Sequence, residues 1–276
     1  MRTRLLFLAA ALTACWISAA CATPFVEIVA ENRGNEIELY AQLRNCLHAS
    51  LELTIDVKNM LSSKTLPLRV ELTQPRTFLT TLHRRNRNKG WAYRWHSHSA
   101  VGRMGGQPDP AAVYRLPFAP GQNHRVIQGY GGIFSHRVGT PSEYSIDWAM
   151  PVGTPVLAAR AGQVVALRDD SDEGGLTEDA RKKANLIVIE HADGTLADYG
   201  HLKFHGVVVA LGQSVRLGEL IGYSGNTGYS GGPHLHVRIS VVRSPGFEQG
   251  FPARWDSPVN FGARPAKIHP PVDAAR

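Results

Sequence analysis

Cysteine is nearly absent from this 276-residue chain. Of its three cysteines, Cys15 and Cys21 lie near the start, so a chain that loses its first 22 residues keeps Cys46 alone. One cysteine cannot close an internal disulfide in any redox compartment, and it excludes a cysteine-based zinc finger. Stability must come from a packed core, and Cys46 itself reads as a small buried apolar side chain. Other signatures are missing too. There is no His-Glu-x-x-His, hence no helical zincin site, and no Walker loop. The glycine-rich "GYGGIF" at 129–134 is not followed by a helical pattern, so it is not built to hold a phosphate. No apolar period of 3.6 residues persists for a useful length.

The one long apolar run is at the start. "MRTR" precedes Leu5–Ala22, a stretch without a charge. A basic start, an apolar middle and the small-residue site Ala20-Cys21-Ala22 make a secretory signal, so residues 1–22 are expected to be removed and Thr23 to become the first residue. Two rivals use the same stretch: lipidation at Cys15 or Cys21, and an uncleaved anchor, since the run just reaches spanning length. Cleavage takes away Arg2 and Arg4 and no acid, lowering the net charge by two from +7. The expectation is an exported, mildly basic protein with no integral membrane domain after cleavage. That charge suits an anionic wall or membrane surface, and a nucleic-acid partner is not expected.

What the chain has in quantity is short alternating runs. In residues 24–115 these are "EIELYAQL", "LELTIDV", "PLRVELT", "TFLTTL" and "WAYRWHS", separated by turn-like pieces such as "NRGN" and "NMLSS". Period-two alternation at a spacing near ten residues predicts a β-sandwich-like N-terminal domain. The basic run "HRRNRNKG" (83–90) reads as a solvated hairpin loop, and "VGRMGGQPDPAA" (101–112) as a linker. Residues 116–257 form a second strand-rich domain with far more glycine, interrupted by the charged segment "RDDSDEGGLTEDARKK" (168–183), an exposed loop or short helix. Residues 258–276 are a proline-rich tail. The fold class is all-β.

Chemistry concentrates in the histidines of the second half. In "PHLHVRIS" (233–240), His234 and His236 fall on one face of a strand, with Leu235 and Val237 on the other. Two imidazoles side by side suit a metal, a proton-transfer pair, or no function at all. His136 in "FSH", His201 in "YGHL" and Asp147 in the apolar "YSIDWAM" add to the set. Two histidines and one carboxylate make a three-ligand site with an open position, as in catalytic zinc centres, although the same ligands suit Fe(II).

Three stretches, "SHRVGTPSEYSIDWAMPVGTPVLAARAGQVV", "DYGHL" and "GQSVRLGELIGYSGNTGYSGGPHLHVRIS", closely resemble the M23 metallopeptidases, the lysostaphin and LytM-like peptidoglycan endopeptidases. The resemblance spans roughly residues 125–245 and includes motif order, spacing and turn glycines. It implies a LytM-type fold, Zn2+ held by His136, Asp147 and His236, and a catalytic pair, His201 and His234, facing the open position. The implied substrate is the stem-peptide cross-link of peptidoglycan and the implied location the periplasm. The compact family form spaces the first histidine and the aspartate as His-x-x-x-Asp. Here ten residues intervene, so a turn through Pro141 must return the chain, and His124 is the alternative first ligand. Gly231 stands where the family has threonine. A rival function is a wall-binding module or amidase activator that holds metal without turnover. A plainer alternative, a biotinyl/lipoyl-like carrier suggested by "GQSVRLGELIG", lacks the modifiable lysine at the turn.

Overall fold

The computed structural model describes residues 25–259. The expected signal, residues 1–22, and the tail from 260 onward lie outside the described residues. The first seven strands are β1 (Val26–Asn32), β2 (Glu36–Leu43), β3 (Ala49–Lys58), β4 (Met60–Ser62), β5 (Leu68–Leu72), β6 (Arg76–Arg84) and β7 (Ala92–Val101). They form two antiparallel sheets, β1-β2-β6-β4 and β5-β3-β7. Ile37, Leu39 and Ala41 from one sheet meet Leu51, Leu53 and Ile55 from the other, all buried in one core. The "NRGN" piece turns as expected: Gly34 takes a φ of 82°, and Asn32 Oδ1 accepts from its amide at 2.8 Å. Two expectations change. The basic run 83–90 is solvated, but it crosses between the two sheets rather than closing a hairpin. And "NMLSS" carries a strand, β4, which pairs with the end of β6.

The remaining elements are β8 (Val126–Gln128), β9 (Ser145–Ala149), β10 (Pro155–Leu157), β11 (Gly162–Arg168), β12 (Gly174–Gly175), α1 (Glu178–Arg181), β13 (Leu186–Glu190), β14 (Leu196–Gly200), β15 (Leu202–Val207), β16 (Ser214–Val215), β17 (Leu220–Ser224), β18 (Gly228–Tyr229), β19 (His234–Ser244) and β20 (Phe247–Gly250). The charged interruption at 168–183 thus holds a one-turn helix and a two-residue strand. A large sheet runs β16-β11-β13-β14-β19-β9-β8, with β20 also on β19. A small sheet, β10-β17-β15, covers one of its faces. Ile187, Ile189, Tyr199, Leu235, Val237 and Ile239 point from the large sheet into the core between them.

The opposite face of the large sheet changes character along its length. Toward β11 and the far end of β19 it is apolar: Val165, Val188, Leu196 and Val242 are buried against Phe25, Cys46, Ala100 and Val101 of the first half. At this seam His48 Nε2 and Glu190 Oε2 lie 3.0 Å apart, both buried, and Glu190 Oε1 accepts from the Arg103 amide. Burial pushes the Glu190 carboxyl up, but the His48 and Arg103 contacts outweigh it and hold it below its usual range. The stretch expected as a linker is laid along the large sheet. Gln107 donates its amide to Asp193 O, and a Cβ on Gly106 would lie 2.4 Å from Gly194 O. Beyond the seam the same sheet face is open, and there its residues turn polar.

Candidate metal centre and cleft

Strand register brings the polar residues together. In the antiparallel pair β9–β19, His236 sits directly opposite Asp147 and His234 opposite Ala149. On the other side of β19, Gly200 is opposite His236. His201 follows at once, with a φ of 61°. A left-handed histidine costs backbone energy and persists only where surroundings impose it, a pattern common at functional sites. His136 arrives from the loop after β8, not from a strand.

His136, Asp147 and His236 offer ligand atoms that all lie within 4.8 Å of one another. His236 Nδ1 is 2.8 Å from Asp147 Oδ1, and His136 Nε2 is 3.3 Å from Asp147 Oδ2. His124, the alternative ligand, is elsewhere: its ring packs edge-on against Phe118 at 4.7 Å. A fit to a cation can be tested on His136. Its Nδ1 faces the Gly129 carbonyl at 3.3 Å, which can only accept, so Nδ1 carries the hydrogen. Its Nε2 is fully buried and without a hydrogen-bond partner. A buried ring nitrogen and a carboxylate oxygen 3.3 Å apart with no hydrogen bond between them are polar atoms whose need a shared cation would meet. The residues therefore fit a metal with nitrogen and oxygen ligands.

The other two histidines point at the same spot. His201 Nδ1 donates to Thr227 O at 2.6 Å, and His234 Nδ1 donates to Gly232 O at 2.8 Å. That leaves Nε2 as the second ring nitrogen of each, and His234 Nε2 stands 4.0 Å from Asp147 Oδ2. The two ring centroids are 4.4 Å apart. Burial, then repulsion from His234 and His236, pushes His201 down to about 3, so it is neutral. Burial also lowers His236, more than Asp147 raises it. At Asp147 burial pushes upward, but His136 and His236 beside it outweigh that and keep it well below the usual carboxylate range.

A cleft of about 1210 Å³ lies over this cluster. Residues 129–135 and 229–233 line it, and so do Phe25 and Val101 from the first half. Phe134 and Tyr229 stack across the mouth at 6.0 Å, and Arg181 lies over the Tyr229 ring at 3.9 Å. Of the glycines near the cleft, Gly228 does not simply clear space for a ligand. It takes a φ of 79°, and a Cβ there would lie 2.4 Å from the Ala184 methyl. The spelling Gly-x-Ser-x-Gly does occur at 228–232, but Ser230 is buried in a strand-to-strand loop and bonds Asn226 Oδ1 at 2.6 Å. It lacks the strand-to-helix setting and exposure of a hydrolase nucleophile. Sequence reading missed Gln128, which donates to Asp147 Oδ2 at 3.0 Å.

Residues 141–246 match the model of peptidase family M23. This segment is similar to an M23 peptidase domain. Asp147, His201, His234 and His236 fall inside the matched segment of this metallopeptidase family, and His136 lies just ahead of it. Three curated relatives are similar to part of the chain. An uncharacterized metalloprotease of Buchnera aphidicola is 38% identical over 94 residues, 34% of this chain and 22% of the relative. Peptidoglycan DD-endopeptidase ShyA of Vibrio cholerae is 39% identical over 99 residues, 36% of this chain and 20% of the relative. Lysostaphin of Staphylococcus simulans is 36% identical over 116 residues, 41% of this chain and 21% of the relative. The chain thus spans about a fifth of the length of these relatives.

Proposed function

We propose that this chain is a zinc metalloendopeptidase that hydrolyses peptide cross-links of bacterial peptidoglycan. The observation that carries the reading is the cluster of His136, Asp147 and His236 within 4.8 Å, beneath an open cleft and beside two further imidazoles, His201 and His234. The names of two relatives, a peptidoglycan DD-endopeptidase and lysostaphin, support the substrate class. His136, Asp147 and His236 would hold Zn2+, which supplies Lewis acidity that polarises a peptide carbonyl and acidifies water.

The remaining steps fall to the protein. Because Gly232 O holds the Nδ1 hydrogen of His234, Nε2 is the atom that takes a proton from the attacking water and returns it to the leaving amine. Ser230 Oγ lies 3.1 Å from the same Nδ1 and helps hold the ring. Of the two roles open to His201, water-holder and oxyanion donor, its tautomer favours the first. Its single ring hydrogen is committed to Thr227 O, and burial keeps it from gaining a second. The open face of the large sheet, with Gly200 beside His236, lets an extended peptide lie across the cleft floor.

Export through the N-terminal segment and action in the periplasm complete the proposal. Among the described residues no helix is long and apolar enough to cross a membrane. The test is digestion of purified sacculi by the zinc-loaded protein. New amino groups and peptide products of cross-link mass are expected. One zinc per chain with no new amino groups would leave a wall-binding or activating module instead.

A further inference from the structure

Gln128 ends β8, at the edge of the large sheet, directly opposite Asp147. The register shifts between Val126 and Gln128, an irregularity of the kind that re-aims a side chain at a strand edge. The side chain makes five contacts. Its Oε1 accepts from the amides of Phe134 at 3.2 Å, Ser135 at 2.9 Å and His136 at 3.5 Å. Its Nε2 donates to Ser135 Oγ at 2.8 Å and Asp147 Oδ2 at 3.0 Å.

The orientation of this amide is dictated by its partners. Three backbone N–H groups can only donate, so the oxygen must face them. The Asp147 carboxylate can only accept, so the nitrogen must face it. One side chain therefore ties the loop that delivers His136 to the strand that delivers Asp147. A second feature makes room for it. A Cβ on Gly132 would lie 2.5 Å from Gln128 Cγ and 3.1 Å from Oε1, so the loop closes over the amide only with glycine there.

We infer that Gln128 is a positioning residue for the metal centre: it sets the rotation of the Asp147 carboxylate and the distance of His136 from it. The inference rests on the metal-site reading above. Partners of this kind, one bond removed from the metal, typically hold 10–100-fold of metal affinity. No other side chain among the described residues bonds both Asp147 and the 134–136 backbone.

The test uses the full chain and two metals, zinc and cobalt. Gln128→Met keeps length and removes all five contacts. Its zinc dissociation constant, measured by competition with a chromophoric chelator, should rise about 10–100-fold. The measurement is made well below the melting temperature of the metal-free variant, so that the constant reads affinity and not unfolding. Gly132→Ala, which touches no ligand, should weaken zinc in the same direction. Gln128→Glu keeps the acceptor for the three loop amides and removes the donor to Asp147, so the visible spectrum of its Co2+ form should differ from wild type. In turnover, kcat should fall while KM holds. Wild-type zinc affinity in Gln128→Met, or a wild-type Co2+ spectrum in Gln128→Glu, would overturn the inference. If the wild-type chain itself takes up neither metal, the metal-site reading falls first.

Discussion

Acid should weaken this protein through one histidine remote from the cleft. His191 follows β13, is 3% exposed, and donates Nδ1–H to Ala161 O at 2.9 Å. Its Nε2 is buried without a partner, and the Tyr114 ring closes over it edge-on at 5.5 Å. A second proton would have to sit in this dry site, so burial pushes His191 from 6.5 down to about 4. The sign follows. Between pH 6.5 and 4 the unfolded chain binds a proton that the folded chain refuses, so stability is present above 6.5 and drains away as pH falls through that window. At about 1.4 kcal/mol per unit of difference, the loss is about 3 kcal/mol. His191→Gln retains a donor for Ala161 O but cannot titrate. Urea unfolding of both proteins from pH 7 to pH 4 isolates the residue, since the other histidines are common to both. The wild type should lose about 3 kcal/mol more than the variant across that range, with a steepest slope difference near 1.4 kcal/mol per pH unit. Parallel curves would refute the reasoning.

Three further outcomes follow from the cleft. His236→Ala and Asp147→Asn should each lose zinc and activity together by metal analysis, as should His136→Ala, whereas His124→Ala should lose neither. His234→Ala should keep about one zinc per chain and lose about 10²–10⁴ in kcat, the worth of a general base; loss of zinc instead would mean that the two histidines of β19 have exchanged roles. Gly228→Ala should cost about 1–3 kcal/mol of stability, read by thermal melting, because the left-handed backbone and the Ala184 contact both oppose a Cβ.

Much of this architecture was legible because alternation survives in the strands. "EIELYAQL" is β2, with Ile37, Leu39 and Ala41 buried and their neighbours less so. The same rule put His234 and His236 on one face, and the strand adds Arg238 beside them. Asp147 was legible as a carboxylate in an otherwise apolar strand. What escaped had no period to betray it. β4 is three residues inside a turn-like string, and β8 is three residues ending in a glutamine. His136 sits in a loop, and its distance from Asp147 depends on Gln128 and Gly132, neither of which carries metal chemistry. The hairpin expected at 83–90 failed because a loop's composition says that it is solvated, not which sheet the next strand joins. Gly225 and Gly228 look like turn glycines, but their close neighbours are the Leu202–Lys203 backbone and Ala184, which only the fold brings near.

Cys46 gives the seam an observable of its own. It is buried where the first half meets the large sheet, donates Sγ–H to Phe25 O at 3.3 Å, and is pushed up by burial to about 11. At pH 7 about one molecule in 10⁴ would carry the reactive thiolate, even before access is considered. In a chain that begins at Thr23 it is the sole thiol, so the rate at which a thiol reagent labels the protein becomes a clock for how often the two halves part. That clock runs independently of the cleft, and it would tell whether a ligand bound there grips the large sheet alone or clamps the two halves together.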